Sequence, residues 1–360
     1  MKNPLSQDLE HILEHTKNLW EELRGKQIFI TGGTGFFGCW FLETFIWANR
    51  KLNLNAKALV LTRDYKRFQK KAPHLAESPE IKFHIGDVRD FVFPEGEFPY
   101  IIHAAATSAE ATFKGEDELE KLDTVVRGTK HTLDFALHCK AKKFLFTSSG
   151  AVYGRQPPYL THISEDYIGA PLLSELSSVW GEAKRVAEFL CTYYFEKYGI
   201  ETKIARCFSF VGPYLQLDIH YAIGNFIRDA IKGGPIEIKG DGTPLRSYLY
   251  AADLMIWLWT ILFKGKPCFP YNVGSEREIS IEELANLVAK CTGYPIEIRK
   301  AKKPDFNKPP SRYIPSTKRA QKELGLKETI TLEEAIRKTF IYYFEKFRLS
   351  NNVEAKIKNE

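Results

Sequence analysis

Thr31-Gly32-Gly33-Thr34-Gly35-Phe36-Phe37-Gly38 lies directly behind the strand-like run Gln27-Ile28-Phe29-Ile30. Gly32, Gly35 and Gly38 stand three apart, each with its own task. The first permits a tight turn from strand to helix. The second lets the backbone approach a pyrophosphate, and the third lets the helix pack close on the sheet. Unpaired N–H groups at the positive helix end then meet the phosphate charge. Thr34, Phe36 and Phe37 are further contact candidates on this turn. Three glycines alone also describe a plain loop. The apolar strand before them and the apolar helix after them (Trp40, Phe41, Leu42, Phe45, Ile46) favour a dinucleotide site.

Outward from this turn the chain alternates. Apolar runs predict strands over 27–31, 57–62, 81–85, 100–103, 143–147 and 201–206. Helical spacing predicts helices over 36–49, about 116–139 and about 180–198. Strands alternating with helices mean an α/β fold, a doubly wound parallel sheet with helices on both faces. Leu9, Ile12, Leu13, Leu19, Trp20 and Leu23 predict an amphipathic helix over 6–24, within an N-terminal unit 1–24. The nucleotide domain spans 25–210 with about 246–274. Segments 211–245 and 275–345 form a smaller C-terminal α/β substrate lobe. There, helices are expected at about 221–232 and from Ser280, with Glu283 completing a capping box. Residues 346–360 read as a flexible tail.

Composition narrows the classes. The 360 residues are 44% hydrophobic and 27% charged, an ordinary globular balance. The formal charge of +6 is spread along the chain. Arg299, Lys300, Lys302 and Lys303 read as a solvated surface, so no nucleic-acid partner is expected. A modest positive field suits an anionic substrate. Cys39, Cys139, Cys191, Cys207, Cys268 and Cys291 are scattered without metal-like or redox spacing, so reduced thiols in a cytoplasm are expected, and no metal. The polar start is no signal peptide, and Leu254 to Phe263 is too short to span a bilayer.

Further motifs join the glycine turn. Gly86-Asp87-Val88 follows the third strand, where Asp87 can accept from an adenine amine. Ala104-Ala105-Ala106 follows the fourth and leaves room for ribose and phosphates. Thr147-Ser148-Ser149-Gly150-Ala151-Val152-Tyr153-Gly154 follows the fifth. Lys184 opens the next long helix, and Arg206-Cys207-Phe208-Ser209-Phe210-Val211-Gly212-Pro213 comes later. This order resembles the extended short-chain dehydrogenase/reductase family, of nucleotide-sugar epimerase and dehydratase type, over roughly residues 25–330.

The resemblance implies a Rossmann fold and NAD(P)-dependent chemistry on a nucleotide-sugar. It implies Ser149 as the hydroxyl that binds the reacting oxygen. Lys184 would hold the nicotinamide ribose and lower the pKa of a catalytic phenol. That phenol is missing, because Trp180 occupies the tyrosine position. Indole donates but does not titrate in water. Three readings stay open: another group (Tyr153, Tyr167, His162 or Glu182) acts instead, the chemistry is slow or altered, or cofactor and sugar bind without turnover. A misplaced alignment, with Trp180 a core aromatic, is the plain alternative. Gly150 and Ala151 stand where 4,6-dehydratases of the family carry an acidic pair, which favours a 4-epimerase-like reaction. Dehydratase-like or decarboxylase-like chemistry is the alternative, and surface-polysaccharide biosynthesis the expected setting.

Cofactor choice rests on Leu61-Thr62-Arg63-Asp64. Thr62 stands at the usual acidic position and Arg63 can pair with a 2′-phosphate, which leans the reading to NADP over NAD. Asp64, one residue on, can still reach the ribose. In the second lobe Arg246 is the expected diphosphate ligand. Arg312 is a second candidate, with Asn225 and Ser209 near the sugar. The resemblance also implies a homodimer through the two long helices, with Phe189, Leu190, Tyr193 and Tyr194 at the interface or in the core.

Overall fold

The computed structural model describes residues 3–107, 115–219, 221–305 and 307–357, with side chains through residue 348. Seven strands form the main sheet: β1 Gln27–Thr31, β2 Lys57–Thr62, β3 Ile81–Ile85, β4 Tyr100–His103, β5 Lys143–Ser149, β6 Glu201–Cys207 and β7 Pro270–Val273. All neighbours run parallel, in the order β7-β6-β5-β4-β1-β2-β3. The principal helices are α1 Ser6–Thr16, α2 Phe36–Lys51, α3 Glu118–His138, α4 Val179–Tyr198, α5 Ala222–Ile231, α6 Ala251–Lys264, α7 Ile281–Thr292 and α8 Leu332–Ile357.

Both faces of the sheet are covered, so its strands read as unbroken apolar runs. Successive residues serve opposite faces. Ile28 and Ile30 join the core beneath α1, α2 and α6, and Phe29 joins the core beneath α3 and α4. The strand order reverses between β1 and β4. That topological switch opens a crevice at the carboxyl ends of the strands, where an open α/β sheet binds its ligand.

In the smaller lobe Leu245–Arg246 is the centre of a three-stranded sheet, between Ile279–Ser280 and Arg312–Tyr313. Ile236–Ile238 pairs with Ile298–Lys300. The Ser280–Glu283 capping box opens α7 as the sequence implies.

Three local expectations are corrected. The helix over 6–24 is an α-helix only to Thr16, followed by a 3₁₀ turn over Lys17–Leu23. Thr16 Oγ1 donates to Ile12 O at 2.6 Å and accepts from Trp20 Nε1 at 2.9 Å, bonds that tie the helix end to the turn. A seventh strand, β7, was not anticipated from sequence. It is short and begins with proline, which a sheet tolerates at an edge. Finally, α8 continues to Ile357 through residues that composition suggested as a tail, the last three of which lie outside the described residues.

Asp8 of α1 accepts from Tyr250 Oη at 2.7 Å and from Lys338 Nζ of α8 at 2.8 Å, tying the first and last helices together. The apolar run Leu254 to Phe263 is the buried body of α6. Among the described residues no helix is long and apolar enough to cross a membrane.

Candidate active site

The glycine turn is built for close approach. Gly32 has φ +70°, and a Cβ there would collide with the Ala104 carbonyl. A Cβ on Gly38 would strike the backbone of Gly33, and one on Gly33 would lie 2.6 Å from Val60 Cγ1. Gly35 caps α2 without a side chain, so its N-cap gives the first N–H groups of the helix no side-chain hydrogen bond. Lys71 Nζ fastens the turn from outside, donating to Thr34 O at 2.8 Å. This bare cradle at a positive helix end fits a pyrophosphate.

A line of bonds leads from the turn to β5. Thr31 Oγ1 pairs with His103 Nδ1 at 2.8 Å and accepts from Ala105 N–H at 3.2 Å. His103 Nε2 meets Thr129 Oγ1 at 3.0 Å. Burial, with a smaller push from Lys184, lowers the His103 pKa to about 3, so the ring is neutral and structural. Thr147 Oγ1 donates to His103 O at 3.3 Å, and Lys184 Nζ donates to Thr147 O at 2.7 Å.

Ser149 ends β5, and its Oγ accepts from Ala151 N–H at 3.1 Å. Lys184 is 2% exposed on α4, one helical turn after Trp180. Its ammonium lies 4.6 Å from the Phe146 ring centre and 5.2 Å from that of Trp180. Burial lowers its pKa to about 8. Trp180 therefore does stand beside Lys184, half-buried. Its indole N–H has no hydrogen-bond partner among the described residues. Behind the site, Arg206 of β6 grips Glu188 of α4 through two bonds of 3.0 and 2.7 Å, and Ser148 Oγ donates to the same carboxylate at 2.5 Å. This half-buried pair sits one turn past Lys184 and ties α4 to the sheet.

The substitutes considered for the missing phenol do not gather at Ser149. Tyr153 Oη donates to Asn272 Oδ1 at 2.8 Å. His162 is bonded to Glu276 O at 2.9 Å and to Thr161. Glu182 lies 3.8 Å from Arg185, and Tyr167 packs on the small cluster of Val152, Tyr153 and Ile163. A different phenol does arrive. Tyr313 Oη stands 3.5 Å from Ser149 Oγ, and its ring lies 4.7 Å from that of Phe208. Sequence reading passed over Tyr313 because 164 positions separate it from Ser149. Its only signal was its place beside Arg312.

Of the two phosphate candidates, Arg246 is open. Its NH1 donates only to the carbonyls of Leu245 (2.8 Å) and Ser311 (3.1 Å) and approaches Ser311 Oγ at 3.5 Å. It has no ion-pair partner among the described residues, and burial lowers its pKa. Arg312 is engaged instead, donating to Glu278 at 3.0 Å and to Pro158 O at 3.2 Å. Asn225 Oδ1 accepts from Arg228 at 3.1 Å, and the Ser209 carbonyl accepts from Leu249 N–H at 3.0 Å.

At the end of β2, Thr62 Oγ1 accepts from Asp64 N–H at 3.2 Å. Asp64 caps the short helix Tyr65–Lys71, accepting from Arg67 N–H at 2.9 Å. Arg63 lies 3.9 Å from Asp87, whose carboxylate also accepts from the Arg89 backbone (3.0 Å) and side chain (2.9 Å). Val88 is buried against Gly128. Ala106 and Ala105 line the second core beside it. The six cysteines are free, and no cluster of three metal-ligating side chains occurs among the described residues.

Known proteins agree with this architecture. UDP-glucuronic acid decarboxylase 6 of Arabidopsis thaliana is 29% identical over 314 residues, 86% of each chain. The structure of epimerase Mth375 from Methanothermobacter thermautotrophicus superposes with a TM-score of 0.77 at 22% identity, covering 94% of this chain and 98% of that one. UDP-glucuronic acid 4-epimerase from Bacillus cereus, solved in complex with NAD, gives a TM-score of 0.72 at 21% identity over 88% and 96% of the two chains. The model of the NAD dependent epimerase/dehydratase family matches residues 28–274, more than half of the sequence, and the chain belongs to that family of nucleotide-sugar epimerases, dehydratases and decarboxylases.

Proposed function

We propose that the protein is an NAD-dependent nucleotide-sugar epimerase, inverting a hydroxyl-bearing carbon through a transient ketone. The observation that carries this reading is Ser149 at the end of β5 with buried Lys184 of α4 bonded to Thr147 O of the same strand, two strands from the bare glycine cradle of β1. A nicotinamide bound there supplies reversible hydride uptake. The protein's own groups do the rest. Ser149 Oγ takes the Ala151 N–H on a lone pair and keeps its proton for a sugar oxygen. Lys184 presents a positive charge to a ribose. Arg246, without an ion-pair partner among the described residues and partly desolvated, suits a diphosphate through its planar fork.

Epimerisation is favoured over dehydration by the space around Gly150. A Cβ there would lie 2.6 Å from Phe208 Cζ and 2.8 Å from Tyr313 Oη, so no acidic side chain fits behind Ser149. A second reading, decarboxylation of a uronic acid, is supported by the identity to UDP-glucuronic acid decarboxylases. For the cofactor we infer NAD. The lean to NADP finds no support, because Arg63 faces Asp87 and the neighbouring epimerase structure holds NAD. We also infer a homodimer through α3 and α4, and a cytoplasmic role in surface-polysaccharide biosynthesis by family analogy.

The test is direct. Protein incubated with NAD and UDP-glucose, UDP-galactose or UDP-glucuronate is followed by proton NMR. The epimeric sugar is the expected product. A pentose with release of carbon dioxide would shift the assignment to decarboxylase. Tight binding of all three without any product would leave a non-catalytic binding protein.

A further inference from the structure

An indole holds the position where the family resemblance calls for a phenol, yet a phenol from another element reaches the same hydroxyl. We propose that Tyr313 is a catalytic residue, exchanging a proton with the reacting sugar oxygen while Ser149 holds that oxygen in place. The assignment rests on the enzymatic reading above and adds a residue to it.

Geometry comes first. Two hydroxyls 3.5 Å apart leave room for a third oxygen in hydrogen-bond contact with both. Ser149 and Tyr313 thus form two arms of a clamp on one substrate atom. Glycine at position 150 keeps the clamp open, since a Cβ would stand 2.8 Å from Tyr313 Oη. The phenol is also well fixed. Its ring packs at a tilt against Phe208, its backbone pairs in register with Arg246, and the next N–H, of Ile314, donates to Gln156 Oε1 at 2.9 Å. Trp180 is committed differently, as an aromatic wall beside Lys184.

The proton balance is simple. As a ketone is reduced, hydride from the family's dinucleotide reaches carbon, and the phenol O–H breaks to give its proton to the oxygen. In the oxidising direction Tyr313 acts as the phenolate, having first lost its own proton to solvent: the sugar O–H breaks, its proton passes to the phenolate oxygen to regenerate the phenol, and hydride leaves carbon for the dinucleotide. Burial raises the Tyr313 pKa above the ordinary phenol value. The hydrogen bond to Ser149 and the Arg246 charge oppose that shift, whereas Cys207 and Tyr221 add to it. These are the main titratable and charged groups acting on the phenol among the described residues, and Cys207 is itself raised to about 12 by burial. Tyr313 is therefore a proton donor at neutral pH. Turnover limited by oxidation should climb steadily with alkaline pH.

Tyr313→Phe keeps the ring and removes the oxygen. The expected result is a kcat lower by about 100-fold or more, the usual range for losing a general acid or base. The alkaline rise in rate should vanish. By calorimetry, UDP-glucose should bind several-fold more weakly to the NAD-loaded variant while UDP binds unchanged. Adding Trp180→Tyr to this variant should restore part of the rate by returning a phenol beside Lys184. A Tyr313→Phe protein with the wild-type rate and pH profile overturns the assignment and leaves the enzymatic reading standing. So does a slower variant whose pH profile and UDP-glucose affinity are unaltered. A wild type that binds UDP-glucose, UDP-galactose and UDP-glucuronate without turning any of them over overturns this assignment together with the enzymatic reading. A wild type that neither binds nor converts UDP-glucose, UDP-glucuronate or dTDP-glucose overturns the enzymatic reading, and this assignment with it.

Discussion

Lys184 holds an ammonium between two aromatic rings with one carbonyl for a partner. Water would solvate that charge better, and a pKa near 8 instead of 10.5 expresses the penalty. The sign follows from linkage. Between these two values the unfolded chain binds the proton more tightly, so stability rises with pH across that window and is lower below it. Lys184→Met is therefore expected to stabilise the cofactor-free protein near neutral pH, by at most about 3 kcal/mol. The gain should shrink as pH climbs past 8 towards 10.5. Urea unfolding near pH 7 and near pH 10 checks this, and an equal gain at both would refute it. On the proposed function, Lys184 serves the chemistry at some expense of stability. Lys184, Ser149 and Trp180 were legible because spacing within one strand–helix unit fixes them. Tyr313 was not, because register in a distant three-stranded sheet delivers it.

At the scale of the element, the glycine turn is set by contacts that admit no Cβ. Gly38→Ala would push α2 away from the Gly33 backbone. Overpacking of this kind costs about 1–3 kcal/mol. The expected outcome is a lower urea midpoint together with loss of NAD binding in a fluorescence titration. A variant that binds NAD like the wild type would show that the helix end is not where the pyrophosphate sits. Strands β1 to β4 fall where period and composition put them, because both faces are buried and each run is bounded by turn residues. Elements whose identity depends on neighbours were harder to read. β7 is a four-residue edge with proline first. The turn after α1 depends on Thr16 and Trp20 meeting side chain to side chain, which no propensity encodes.

At the scale of the molecule, α3 and α4 leave apolar surface outside. Phe189 is 66% exposed and Tyr193 is 42% exposed. Tyr194 turns inward, its hydroxyl on Asp134. Of the four residues considered for an interface, then, Tyr194 belongs to the core and Phe189 to the surface. Phe189→Lys is expected to convert a dimer to a monomer in sedimentation while thermal stability at high dilution is retained. A wild type that sediments as a monomer at tens of micromolar would end the homodimer proposal.

The three-stranded sheet of the smaller lobe has a consequence for selectivity. Tyr313 and Arg246 are partners in register on adjacent strands, so they move as one piece. On the proposed function, a diphosphate held by Arg246 is anchored to the strand neighbouring Tyr313, whose hydroxyl already stands 3.5 Å from that of Ser149. Attraction at a remote, unreacting part of the substrate is then available to hold the reacting oxygen in place. A free sugar, lacking the diphosphate handle, is expected to react more slowly than its nucleotide-linked form.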